Sequence, residues 1–415
     1  MVWGAVAGTI PDLDVTAGLV ADPITNLAFH RCVTHSLYYA ALASTVLAWM
    51  ARALYRGGPG RPARDFPWRV WLPGAAALYV LLAAGSLLSP TPLEGAWAYS
   101  AVVAAVTVAY PLAVWGFRRL RPRPDAPPDD YRHWLLLFGL GIATHPLLDC
   151  FTTYGTQVFQ PFDDLRVAWN AIAVVDPLYT LPFLALVLAA SRRGRDSPWR
   201  RRLVVAGLAL STAYLAFTCV NLRRVRRQVR ADLAAAQIPY ERFTATPTLF
   251  NNVLWSVAVD QGDTIRTGRI GLFDEPFRLP VYDAPGNSPA AGGLQVFPVR
   301  DDLLAPLRDE RAVRVATWFS DGYHVTRPAG GDTLEIVDLR FGTLPLEGTS
   351  PLFGFRLFPR APGEEWGLRQ NPLREDVDLE RVFAKLWERV RGGRVELEEP
   401  LGGGAAEPPA AGRDD

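Results

Sequence analysis

The sequence predicts an α-helical polytopic membrane domain of about six transmembrane helices, followed by a small β-rich extramembrane domain. Three observations carry that prediction. Long apolar runs recur up to about Val220, and none follows about Tyr240. Arginine crowds the connections between alternate runs. Beyond Tyr240 the apolar positions alternate with period two in short stretches punctuated by Gly, Asp and Pro, the pattern of strands and turns. Whole-chain averages conceal this division: 49% hydrophobic residues and a mean hydropathy of +0.08 would suit a soluble protein.

A membrane-crossing helix needs roughly 20 mostly apolar residues. Residues 1–10 are apolar but only half that long, and they lack the basic n-region and cleavage site of a secretory signal peptide. They read as the end of a membrane helix. Candidate spans follow at 35–54, 70–89, 96–117, 133–149, 172–190 and 203–220. The fourth is short, and its C-terminal end is polar. A buried helix in a soluble protein explains one such run but not six.

Arginine placement sets the sidedness. Arg52, Arg56, Arg61, Arg64 and Arg69 follow the first span, Arg118, Arg119, Arg121, Arg123 and Arg132 the third, and Arg192, Arg193, Arg195, Arg200, Arg201 and Arg202 the fifth. Segments 89–95 and 150–171 hold Arg166 alone. The positive-inside rule then places the arginine loops in the cytoplasm, with the polar motifs and the C-terminal domain on the extracytoplasmic face. Arg223, Arg224, Arg226, Arg227 and Arg230, after the sixth span, dissent. That span is re-entrant, or the cluster lies on anionic headgroups, or the sidedness is reversed.

Polar residues at span ends are the functional signal, because carboxylates and imidazoles there are costly to desolvate. Asp12 and Asp14 follow Pro11, in an irregular segment that can turn both carboxylates inward. His30 and His35 are five residues apart, which on a continuous helix splays them by roughly 140°. They converge only if His30 sits in the preceding loop, with Thr34 as N-cap of a helix starting at His35. His145 and Asp149 are four apart and project from one helical face. Three of the chain's five histidines fall in these motifs; His133 and His324 lie elsewhere. Asp12, Asp14, His30, His35, His145 and Asp149 are therefore the candidate ligands of a divalent metal ion. Mixed nitrogen and oxygen donors suit Zn²⁺ or Mn²⁺, and carboxylate-rich sets also suit Mg²⁺. Such a site activates water against an ester, amide or phosphoester. Asp14 or Asp163 is the candidate base, with Asp176 a further candidate base or ligand. Arg31, Thr153, Tyr154 and Gln157, from the motif and the polar aromatic loop behind Asp149, are candidate substrate contacts. Cys32 and Cys150 flank the site, and three cysteines in all indicate no disulfide framework, so they read as small buried thiols.

In the C-terminal half, strands are expected at 252–260, 265–273, 313–319, 333–341 and 353–358, with an amphipathic helix at 379–391. The organisation is thus a transmembrane metal-site domain over 1–230, a β-rich soluble domain over 240–395 and a disordered tail over 396–415, rich in Gly, Ala, Pro and acids.

Gly-Thr-Ile-Pro-Asp-Leu-Asp, His-Arg-x-x-Thr-His-Ser, His-Pro-Leu-Leu-Asp-Cys-Phe-Thr-Thr-Tyr-Gly-Thr-Gln and Val-Asp-Pro-Leu-Tyr-Thr-Leu-Pro together resemble a bacterial family of membrane-bound metal-dependent hydrolases, the YdjM-like inner-membrane proteins. The resemblance is dense over 1–230 and weaker through 246–255. It implies an inner-membrane location, the same six polar residues as the core of the site, and hydrolysis of an unidentified substrate. Members of the family usually carry an additional first helix with an Asp-Ser-Leu-Thr-His-type segment, which this sequence lacks, so a truncated N-terminus is expected. The function expected is a membrane-embedded hydrolase using a metal-activated water on a lipid or envelope ester or phosphoester. The alternative is a non-enzymatic membrane protein with a structural metal or an ion-transport role. The partners expected are the lipid bilayer and a small-molecule or lipid substrate, with no nucleic acid.

Overall fold

Eight helices build the N-terminal half. They are α1 (Val2–Thr9), α2 (Pro23–Phe29), α3 (Leu37–Leu54), α4 (Trp68–Leu88), α5 (Ala96–Leu120), α6 (Tyr131–Asp149), α7 (Pro177–Ser191) and α8 (Pro198–Ala235). Two 3-10 helices, Pro11–Leu19 and Val33–His35, interrupt them. The computed structural model describes residues 2–55, 66–89, 96–120, 130–194, 196–280, 294–342, 353–361, 364–370 and 379–392. Arg56, Arg61, Arg64, Arg121, Arg123 and Arg195 of the arginine loops and the expected tail over 396–415 lie outside the described residues.

Helix α3 packs on α4 and α6, α4 on α5, and α1 on α6. Their shared core is built on Tyr39, Leu47, Met50, Trp134 and Phe138. Gly141 allows α1 to approach α6, since a Cβ there would lie 2.5 Å from the Cβ of Ala7. Small residues at such contacts let helix backbones close up where no hydrophobic driving force acts between helices in lipid. Helices α7 and α8 form a hairpin with Leu178, Leu181, Leu184 and Leu188 exposed.

Among the described residues, four helical segments are long and apolar enough to cross a membrane: α3, α4, Trp97–Gly116 of α5, and α8. The apolar α7 has 15 residues, about 22 Å of helix, which falls short of a ~30 Å hydrocarbon core. The 19-residue α6 carries polar residues at both ends. Helix α8 is continuous over 38 residues. Its first part is the apolar one, and its last turns bury Leu222, Val225, Val229 and Leu233 against the β-rich half. The dissenting arginines belong to this second part, where Arg223, Arg224, Arg227 and Arg230 are exposed. They sit on the part of α8 that packs against the β-rich half rather than in a short loop.

The C-terminal half holds two antiparallel four-stranded sheets. The first comprises β1 (Arg242–Pro247), β2 (Leu254–Asp260), β3 (Thr264–Gly271) and β4 (Gln295–Pro298), and it shares a core with α8. The second comprises β5 (His324–Pro328), β6 (Leu334–Asp338), β7 (Gly354–Phe358) and β8 (Gly367–Gln370). Ala258, Ile265, Tyr323, Val325, Val337 and Leu339 pack between the sheets. A short α9 (Asp301–Leu304), α10 (Arg311–Phe319) and α11 (Leu379–Val390) complete the half.

The strand expected at 313–319 is helix α10. Val313 and Val315 mimic period two, but the buried set Ala312, Val315, Ala316 and Phe319 has helical spacing and faces the second sheet. Helix α2 joins the two halves. It packs on α10, and Asp22, its N-cap, meets the buried Arg311 at 3.4 Å. The Arg311 guanidinium also donates to Thr25 Oγ1.

Candidate metal centre

Three chain segments bring polar groups to one point. In the 3-10 helix beginning at Pro11, every third residue is buried: Pro11, Asp14 and Ala17. That register turns Asp14 fully inward and leaves Asp12 half-exposed. His35 ends the second 3-10 helix and is fully buried. The helix expected to begin at His35 with Thr34 as cap begins instead at Leu37, and Ser36 Oγ caps it by accepting from the Tyr39 amide at 3.0 Å. His145 and Asp149 lie one turn apart at the end of α6, as their spacing requires.

His35 Nε2 lies 3.4 Å from Asp12 Oδ1 and 3.4 Å from Asp149 Oδ2. His145 Nε2 lies 3.2 Å from Asp12 Oδ1 and 3.3 Å from Asp149 Oδ2. The ligand atoms of Asp12, His35, His145 and Asp149 all fall within 4.8 Å of one another. Both Nε2 atoms and Asp149 Oδ2 are buried without a hydrogen-bond partner. Buried polar atoms ordinarily find partners, and these three, close to one another, could find one in a cation. Neighbouring ligands about 2.0–2.1 Å from one tetrahedral ion lie about 3.3–3.4 Å apart, close to the four His–Asp separations, while the set as a whole falls within 4.8 Å. The donor set could hold a divalent cation.

The far side of each imidazole is also held. His145 Nδ1 donates to the Gly8 carbonyl at 2.7 Å, which leaves Nε2 as the free acceptor. His35 Nδ1 faces Asp14 Oδ2 at 3.3 Å and Thr34 Oγ1 at 3.1 Å. Asp14 itself accepts from Thr34 Oγ1 at 2.9 Å, from the Arg31 amide at 3.1 Å and from His30 Nδ1 at 2.9 Å. Burial pushes the His35 imidazole down, but Asp14, Asp12 and Asp149 around it outweigh that and raise it above its ordinary 6.5. Arg31, at a positive φ of 62°, sets its guanidinium 3.3 Å from Asp149 Oδ1 and donates to Thr152 Oγ1 at 3.0 Å.

The remaining expected residues are dispersed. His30 stands outside the four-residue group, bonded to Asp14 with its ring 5.3 Å from that of Tyr154. Tyr154 is wedged between Arg31, Arg166 and Phe319. Gln157 is buried and donates to the Ala28 carbonyl at 3.1 Å, and Thr153 is buried beside it in the same loop. Asp163 is exposed and accepts from the Leu165 amide at 2.7 Å. Asp176 caps α7 and accepts from Tyr214 Oη at 2.8 Å. Cys32 and Cys150 are free buried thiols. Sequence reasoning missed the Gly8 carbonyl and the Thr152 hydroxyl. A main-chain acceptor leaves no mark in residue identity, whereas Thr152 follows Asp149 by one helical turn and could have been weighed.

No curated protein and no solved structure matches this chain. The family model described as YdjM inner membrane protein matches residues 1–225, more than half of the chain and the whole of the segment that builds the metal centre. The protein belongs to the YdjM inner membrane protein family.

Proposed function

We propose that the protein is a membrane-embedded metal-dependent hydrolase acting on an ester or phosphoester of a lipid or envelope component. The observation that carries this reading is the convergence of His35 Nε2, His145 Nε2, Asp12 Oδ1 and Asp149 Oδ2, three of them buried and unpartnered. Zinc suits the mixed nitrogen and oxygen donors, with manganese or magnesium as the alternatives. A cation held there supplies the Lewis acidity that activates water and polarises the scissile bond.

The chain's own groups prepare that chemistry. Asp14 and the Gly8 carbonyl hold Nδ1 of His35 and His145, fixing the tautomers that present Nε2 to the site. Asp14 is enclosed by donors, which favours this positioning role over that of a base. Arg31 places a positive charge beside Asp149, where it can meet negative charge developing on the reacting group. Asp163, bonded within its own turn, is given no catalytic role. In this reading α3 to α8 are six membrane helices, and the metal centre and β-rich half face away from the cytoplasm, on the strength of the arginine-rich loops.

The second reading is a structural cation that ties the N-terminal segment to α3 and α6, favoured by the fact that the four residues come from those separate elements. Metal content of detergent-purified protein, beside His35→Ala and His145→Ala, tests both. About one or two ions per chain, lost in the variants while helicity persists, together with metal-dependent turnover of ester or phosphoester probes, supports the hydrolase. Metal loss that unfolds the protein favours the structural reading, and no bound metal after supplementation sinks both.

A further inference from the structure

The segment that carries Asp12 has a second property. Val2–Thr9 is α-helical and Pro11–Leu19 is 3-10 helical, so the helix type changes within one largely apolar stretch. From Trp3 to Asp14 the segment runs along α6 and α5. Trp3 stacks edge-on against Trp134 at 5.2 Å, Ala7 abuts Gly141, and the Gly8 carbonyl meets His145, in order along α6. On α5, Thr9 Oγ1 is 3.4 Å from Tyr110 Oη, whereas Tyr99 Oη donates to the Asp14 carbonyl at 3.3 Å. Those two tyrosines are 11 residues apart, about 16 Å of helix, inside the membrane-spanning stretch Trp97–Gly116. The only charged residues in Val2–Val20 are Asp12 and Asp14, and both meet histidines. Discontinuous helices of this kind occur in membranes where the broken backbone lines a site.

The most exposed large side chains of the 3-10 helix and of its C-cap are apolar. Val15, Leu19 and Val20 are 56%, 82% and 58% exposed, and the helix's period of three sets Val15 in line with the half-exposed Asp12. Exposure of that extent on a segment packed against a membrane-spanning helix continues that helix's lipid-facing surface.

We propose that α1 and the 3-10 helix through Leu19 form a discontinuous helix within the bilayer whose exposed Val15, Leu19 and Val20 contact acyl chains, so that the metal centre opens sideways into the bilayer at Asp12. The ligand class that fits is an amphiphile that stays anchored by its chains in the leaflet while its headgroup linkage reaches the centre. In hydrolysis, water's oxygen would bond to the acyl carbon or phosphorus and its proton would pass to the departing alkoxide. The substrate class rests on the hydrolase reading; the placement in the bilayer does not.

The test is the depth of nitroxide labels at Val15→Cys and, separately, Leu19→Cys, in full-length Cys219→Ser protein reconstituted in phosphatidylethanolamine–phosphatidylglycerol vesicles. Power saturation with oxygen and with a water-soluble nickel chelate reports whether each label sits in lipid or water. Val80→Cys on α4 and Leu249→Cys in the β-rich half are the lipid and water references, both exposed positions. The expected result is an oxygen-to-nickel ratio at Val15 and Leu19 matching Val80 and several-fold above Leu249. Ratios matching Leu249 at both positions overturn the proposal. Metal content of the same samples separates the two readings. Lipid-like labels in protein that takes up no metal support this placement while sinking the hydrolase, and water-like labels in metal-loaded protein overturn this placement alone.

Discussion

Replacing Asp14 with asparagine separates a residue that orients a ligand from a ligand itself. Asp14 is fully buried, accepts hydrogen bonds from His30, Thr34 and the Arg31 amide, and faces Nδ1 of His35, the ring nitrogen opposite the one that joins the convergent group. Asparagine retains an acceptor oxygen and the volume but removes the charge that sets the His35 imidazole. Partners of this kind are worth 10- to 100-fold in metal affinity, about 1.4–2.7 kcal/mol. Competition between the detergent-solubilised protein and a fluorescent chelator measures that affinity, with His35→Ala as the ligand control. Asp14→Asn is expected to bind one ion per site 10- to 100-fold more weakly than the wild type, whereas His35→Ala abolishes stoichiometric binding. Wild-type affinity in Asp14→Asn would refute the orienting role. Complete loss equal to that of His35→Ala would refute its exclusion from the ligand set.

Three further outcomes are expected. Gly141→Leu forces a side chain into Ala7, displacing the Gly8 carbonyl from His145, so metal stoichiometry should fall while the circular dichroism of the β-rich half persists; unchanged metal binding would contradict the close α1–α6 contact. Arg311→Met removes the charged hydrogen bonds to Asp22 and Thr25 that join α10 to α2, a loss of about 1.5–3 kcal/mol visible as a lowered apparent Tm; an unshifted Tm would mean the two halves dock without that pair. Burial holds His324, in the β-rich half, below its ordinary 6.5. The unfolded chain then takes up the proton first as pH falls, so the stability present above about pH 6.5 declines below it. Denaturant titrations at stepped pH should show that decline and its flattening in His324→Gln.

Local spacing made part of the site legible. His145 and Asp149 had to share a helical face once α6 existed, and Pro11 marked the irregular turn that brings carboxylates inward. Choosing among the six candidates needed tertiary contacts. His30 and Asp12 are equally plausible donors on paper, but the 3-10 register commits Asp14 to the interior, where it captures His30 and leaves Asp12 to join the four-residue group. Helix α10 was misread because alternation over a few residues satisfies both periods, and only burial against the second sheet distinguishes them. The arginines after the sixth span proved to lie on the part of α8 that packs against the β-rich half, which apolar run length could not show.

Composition along the chain determined by itself that this protein places an apolar helical half ahead of a β-rich half, because hydrophobic run length and period are local properties. Its motifs likewise determined which polar residues are too costly to bury without partners. Tertiary structure alone decided which of them meet, because convergence at a single point depends on helix register, on the Gly141 contact that admits α1, and on main-chain carbonyls that no residue name records.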